Sequence, residues 1–265
     1  MKQQKDKPIG VLDSGLGGLT VVRELGRLLP SESIVYFGDN ANVPYGNRPK
    51  EEILKLTFAM LDFLQSKDVK IAAIACNTIS TLIEEFRPRY KFPVVSIIET
   101  ACEYVAAQRL SQVGVFATEF TVKQGHYERL IKKQSPETFV FSQPSQYLAK
   151  LVDEGRFNDP AIMVEVQTLL NALLQARPEL KHIVLGCTHY PIVQDIFEQA
   201  APGFTFINPA QVQVQALKAL LSEQGLLSEA RETFLDIYTS GEKPQYEAAL
   251  KKLDIKRPMA INKHA

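Results

Sequence analysis

Ile9-Gly10-Val11-Leu12-Asp13-Ser14-Gly15-Leu16-Gly17-Gly18 is the stretch that decides the fold of this 265-residue chain. Four residues of strand character run into a polar, glycine-rich turn, and the helical pattern resumes beyond it. The strand half of this pattern returns at Val113-Gly114-Val115-Phe116, an offset of 104 (113 − 9).

Working outward, the spacing predicts further strands at Ile34–Phe37, Ile71–Ala75 and Val94–Ile97. A second set is expected at Phe139–Phe141, His182–Gly186 and Phe204–Ile207. Amphipathic helical stretches separate the strands, the clearest being Glu51–Gln65. Strands alternating with helices indicate parallel α/β structure. The second strands correspond at an offset of 105 (139 − 34), the fourth at 110 (204 − 94), and the cysteines ending the third strands at 111 (187 − 76). Four matched pairs indicate an internal duplication. The expected fold class is α/β, with two similar parallel-sheet domains related by a pseudo-two-fold and the active site in the cleft between them. The tail differs, with a helix over Ala210–Gln224, a late strand over Thr233–Tyr238 and a helix over Gln245–Leu253. It is expected to pack back on the first half. The domains are therefore read as residues 1–97 plus 211–265, and 98–210.

Composition excludes several functions. Lys+Arg and Asp+Glu both count 30, so there is no basic excess for nucleic acid. No segment reaches the roughly 20 apolar residues of a membrane span. The polar opening Met1–Lys7 is expected to fray, and no apolar run of signal-peptide length follows it. The expectation is a cytoplasmic protein with no membrane association. Three widely spaced cysteines make a poor disulfide framework. They are expected to remain thiols, with Cys102 inert.

In open parallel sheets, ligands collect beyond the carboxyl ends of the strands. Those ends carry Asp13-Ser14, Asp39-Asn40, Pro44-Tyr45-Gly46, Cys76-Asn77-Thr78 and Cys187-Thr188-His189-Tyr190-Pro191. A cysteine at a helix start should have its pKa lowered. Two halves related by a pseudo-two-fold put Cys76 and Cys187 on opposite walls of one cleft. Opposed acid–base groups suit moving a proton off one face of a carbon and onto the other. The α-proton of an amino acid is far less acidic than a thiol, so donors must stabilise charge on the α-carboxylate. Asn77, Thr78, Thr188 and the helix-start amides are the candidates.

At these motifs the chain resembles the glutamate racemase family of the aspartate/glutamate racemase superfamily, over nearly its whole length. The resemblance implies an amino-acid racemase with no cofactor, neither pyridoxal phosphate nor metal, that makes D-glutamate for peptidoglycan. It implies that Cys76 takes the α-proton from D-glutamate and Cys187 from L-glutamate. Asp13 would support Cys76, and His189 would support Cys187. Asp13, Ser14, Tyr45, Gly46, Asn77, Thr78, Thr118, Thr121, Thr188 and His189 would contact substrate. The expected partners are glutamate and a second copy of the chain in a homodimer. Departures from the family pattern are Asn42 for an arginine, Phe120 for a small residue, Gln143 for a cysteine, and Asp153 for a glutamate, with Glu154 adjacent. These bear on substrate breadth.

Other readings compete. Gly15 and Gly17 after a strand, with Asp39 closing the next, imitate a dinucleotide fingerprint, but its third glycine would fall at Thr20. Cys187 and His189 alone are too few ligands for zinc. The departures also fit an aspartate or broader acidic amino-acid racemase, or an inactive homologue that binds an acidic amino acid.

Overall fold

A computed structural model describes residues 3–257 and 259–264. The ten strands among the described residues are β1 (Ile9–Asp13), β2 (Ile34–Gly38), β3 (Ile71–Ile74), β4 (Val94–Ser96), β5 (Gln112–Ala117), β6 (Phe139–Pro144), β7 (His182–Gly186), β8 (Thr205–Ile207), β9 (Leu235–Thr239) and β10 (Met259–Lys263). They form two sheets of orders β10-β9-β2-β1-β3-β4 and β6-β5-β7-β8. Every pairing is parallel. The order β2-β1-β3-β4 is repeated as β6-β5-β7-β8, which is the duplication expressed in topology.

Register refines the correspondence. Ile9 stands opposite Ile34, while Val113 stands opposite Val140. Val140, not Phe139, is therefore the counterpart of Ile34, one residue later than sequence matching places it. Ala72 faces Val94, and Ile183 faces Phe206, so the fourth strands correspond two residues later than expected. Both β6 and β8 are edge strands whose short apolar runs alternate too little to fix register.

Both faces of the first sheet are covered. Ile9, Val11, Ile34, Tyr36, Ile71 and Ala73 point into one core, which continues through β5 and β7 of the second sheet. Leu12, Val35, Phe37, Ala72 and Ile74 point into another, against Ile53, Met60, Leu61 and Leu64 of the helix Lys50–Ser66. Burying each such Ile or Leu fully stabilises the fold by about 1.5–3 kcal/mol. The helices Ile97–Ala107 and Pro209–Glu223 pack on one another, with Ile98, Ala101, Val105, Val214 and Leu217 in the core shared by both sheets.

The tail returns to the first sheet, where β9 pairs with β2. The strand β10 was not anticipated. It is half-exposed, with polar Asn262 and Lys263, so it lacks the apolar signature of the others. The opening segment is also more ordered than expected. Gln4–Asp6 forms a short turn, and the Lys5 carbonyl accepts from Lys70 Nζ at 2.7 Å. Lys70 is fully buried and also donates to Glu32 Oε2 (2.6 Å) and the Leu226 carbonyl (2.8 Å), which satisfies its charge. Met1 and Lys2 lie outside the described residues. No helix among the described residues is long and apolar enough to cross a membrane.

Candidate active site

The carboxyl ends of β1, β3 and β7 deliver Asp13-Ser14, Cys76-Asn77-Thr78 and Cys187-Thr188-His189 to one place. Ser14, Cys76, Asn77, Thr78, Thr118, Cys187, Thr188 and His189 line a single cavity of about 400 Å³. That volume suits one small molecule. Val43 through Asn47 and Ala149, Lys150, Asp153 and Glu154 complete the lining.

The two halves meet tightly here. Gly17 lies so close to Thr188 and His189 that a Cβ would stand 2.9 Å from His189 Nδ1 and closer still to the Thr188 hydroxyl. The glycine-rich turn therefore serves an approach between the halves. Asp39 is likewise committed within the protein. It accepts from Tyr45 Oη (2.6 Å), Ser240 Oγ (2.6 Å) and, through both oxygens, Asn42 Nδ2 (3.0 Å). It orders the Val43–Gly46 wall and is not presented as a ribose acceptor. Asn42, at a position where an arginine is common, thus has a structural partner.

Cys76 caps a four-residue helix, Asn77–Ser80, and its Sγ is 3.3 Å from Ser14 Oγ. Burial, and then the Asp13 charge, push its thiol up to about 12. The expected lowering by a helix start does not prevail at Cys76, because one helical turn carries too small a dipole to offset desolvation. At Cys187 the expected helix start is missing. The strand runs into a turn, and a 3-10 segment begins only at Tyr190.

Asp13 lies behind the cavity wall, fully buried. It accepts from Gly15 N–H (2.9 Å) and Thr188 Oγ1 (3.1 Å). Burial raises its carboxyl to about 6, against the favourable charge of His189 and these hydrogen bonds. Its link to Cys76 is through space, and the hydroxyl beside that thiol belongs to Ser14.

His189 Nδ1 is 3.6 Å from Cys187 Sγ, and Nε2 is 3.1 Å from Asp153 Oδ1. Burial opposes the imidazolium, but hydrogen bonds to Asp153 and Cys187 outweigh it and raise the histidine well above its ordinary range. Asp153, not Glu154, reaches the histidine; Glu154 pairs with Arg156. Asp153 Oδ1 also accepts from Asn40 Nδ2 (3.1 Å), and Tyr246 donates to Asn40 Oδ1.

Thr78, Thr118 and Thr121 form a hydroxyl cluster, with Oγ1 separations of 3.0 to 3.5 Å. Thr118 faces the cavity, while Thr121 is buried behind it. Tyr45 is buried at the wall beside Gly46. Gln143, at the end of β6, does not line the cavity, and neither does Cys102, which is buried against the Tyr127 carbonyl. Sequence reasoning placed Asn40 at a strand end without a partner, and missed Tyr127 and Tyr246. Neither tyrosine stands in a motif.

Among the described residues no group of three or more His, Cys, Asp and Glu side chains is arranged to hold a metal ion.

The family model described as Asp/Glu/Hydantoin racemase matches residues 9–217. A glutamate racemase of Picosynechococcus is 36% identical over 227 residues, covering 85% of this chain and 80% of that protein. One from Syntrophus aciditrophicus is 38% identical over 230 residues, covering 84% and 83%. The crystal structure of glutamate racemase from Francisella tularensis in complex with D-glutamate superposes with a TM-score of 0.89 at 29% identity, covering 98% of each chain.

Proposed function

The chain belongs to the Asp/Glu/Hydantoin racemase family, and from that premise we propose that it interconverts L- and D-glutamate by two-base proton transfer between Cys76 and Cys187. The observation that carries this reading is that both sulfurs line one cavity, each from the end of an equivalent strand. The glutamate racemases among its relatives, one holding D-glutamate, support the substrate.

One thiolate takes the α-proton. The C–H electron pair flows toward the α-carboxylate, and the opposite thiol delivers its proton to the other face. The two sulfurs end with exchanged protonation states. No oxidant or electron acceptor enters the balance. By the family pattern Cys76 serves D-glutamate and Cys187 serves L-glutamate. Cys76, held up to about 12, rests as a thiol and is ready to donate. Cys187 stands beside the protonated His189, whose Nδ1 lies 3.6 Å from its sulfur and can donate to it. Developing charge on the carboxylate is met by Asn77, Thr78, Thr118 and Ser14, donors already fixed around the cavity. Asp13 holds Thr188 and, through its charge, makes Cys76 a stronger base once ionised. The D-glutamate so formed would supply peptidoglycan synthesis.

The test is to incubate the purified protein, without added cofactor, with either enantiomer and follow circular dichroism. Rotation should decay to zero from both sides. Persistent rotation rejects racemisation of glutamate, and glutamate-induced thermal stabilisation in that case would identify an inactive binder.

A further inference from the structure

We propose that Tyr127 is a positioning residue that fixes the amide of Asn77 so that its NH2 group, and not its oxygen, faces the ligand carboxylate. This rests on the reading of the cavity as a site for an anionic amino acid.

The observation is an asymmetry within one side chain. Asn77 is 2% exposed and lines the cavity. Its Oδ1 accepts from Tyr127 Oη at 2.7 Å, whereas its buried Nδ2 has no partner among the described residues. A buried amide N–H without an acceptor is costly, and a carboxylate in the cavity would supply one. The reverse orientation would turn Oδ1 toward the ligand, where two acceptors would repel.

An asparagine can flip, so something must choose the orientation. Burial holds the Tyr127 phenol far above its ordinary range, so the phenol keeps its proton. Asn77 Oδ1 is the acceptor for that proton. If the amide flipped, the phenol proton would face an NH2 group and lose its acceptor inside the protein, which is costly. That cost is the selection.

Tyr127 belongs to the helix His126–Gln134, which packs on Ile97–Ala107 and β6 of the second sheet. Asn77 follows β3 of the first sheet. The orientation of a ligand donor in one half is thus set by a hydroxyl from the other.

The experiment has two arms. In the first, the Asn77 side-chain amide resonances are identified by their loss in Asn77→Ala and compared between the wild type and Tyr127→Phe. They should shift and broaden in Tyr127→Phe; unchanged resonances overturn the proposal. This arm needs no ligand, so it decides the matter even if wild-type protein fails to turn over or bind glutamate, a result that would reject only the functional reading. In the second arm, Tyr127→Phe should raise KM for both enantiomers roughly twofold, with a smaller change in kcat, because the competent orientation becomes only one of two. In an Asn77→Ala background the same substitution should add nothing. An equal effect in both backgrounds overturns the proposal. Should Tyr127→Phe not fold, Asn77→Asp keeps the acceptor for Tyr127 and removes the donor. It should bind D-glutamate more weakly than Asn77→Ala, and wild-type binding by Asn77→Asp contradicts the assignment.

Discussion

Thr188 Oγ1 donates to Asp13 Oδ2 at 3.1 Å, so the residue that follows one thiol is anchored by the carboxylate next to the other. This bond joins the end of β1 to the end of β7 across the two sheets. It explains why a fully buried carboxylate is kept where a neutral side chain would be easier to bury.

The burial of Asp13 has a stability consequence of definite sign. Its folded-state pKa, about 6, lies above the ordinary 3.8. The folded protein therefore holds that proton more tightly than the unfolded chain. The associated stability is present below about pH 4 and is lost as pH rises through 6. Asp13→Asn should accordingly stabilise the protein by about 1–3 kcal/mol at pH 8 and by little at pH 4. Urea denaturation at the two pH values checks this, and an equal effect at both would contradict it. Racemisation should fall in both directions.

The same carboxylate raises the Cys76 thiol. Asp13→Asn should therefore speed alkylation of Cys76 by a small neutral reagent at pH 8, measured by mass spectrometry of the labelled peptide. A slower or unchanged rate would mean that the Asp13 charge does not act on that sulfur.

Cys76→Ser and Cys187→Ser should each lower kcat for both enantiomers by at least about 100-fold, because every turnover uses one sulfur as base and the other as acid. Initial rates from each enantiomer measure this. A variant that retains wild-type rate in either direction removes that cysteine from the mechanism.

Asp153 supports the proton on His189. In Asp153→Asn the opposing effect of burial is no longer offset by that carboxylate, so the histidine should titrate at lower pH. The pH dependence of kcat/KM should shift in the same direction, and the imidazole resonances of His189 should follow it. A titration that stays in place would show that the Cys187 contact alone sets the histidine.

What the sequence made legible follows from where chemistry and local pattern coincide. Asp13, Cys76, Cys187 and His189 each sit at or just past the end of an apolar run, so period and position both marked them. The matched strand order was readable because each half repeats the same alternation. The one- and two-residue slips at Val140 and Phe206 were not, since the short apolar runs of these two edge strands alternate too little to fix register. Tyr127 and Tyr246 were invisible for another reason. Each lies on a helix far along the chain from the asparagine it holds, and only the packed fold brings a hydroxyl to an amide across 50 residues at Asn77 or 206 at Asn40. The thiol pKa of Cys76 was misjudged because helix starts are legible in a sequence and desolvation is not.

The central claim is that two sulfurs on opposite walls share one α-carbon. Its most direct test is the first few per cent of turnover in deuterated water, starting from each pure enantiomer in protiated form. The account predicts product carrying deuterium at the α-carbon while the remaining substrate keeps its protium, in both directions. Product that retains the substrate's own α-proton, or substrate and product deuterated alike from the outset, would contradict it.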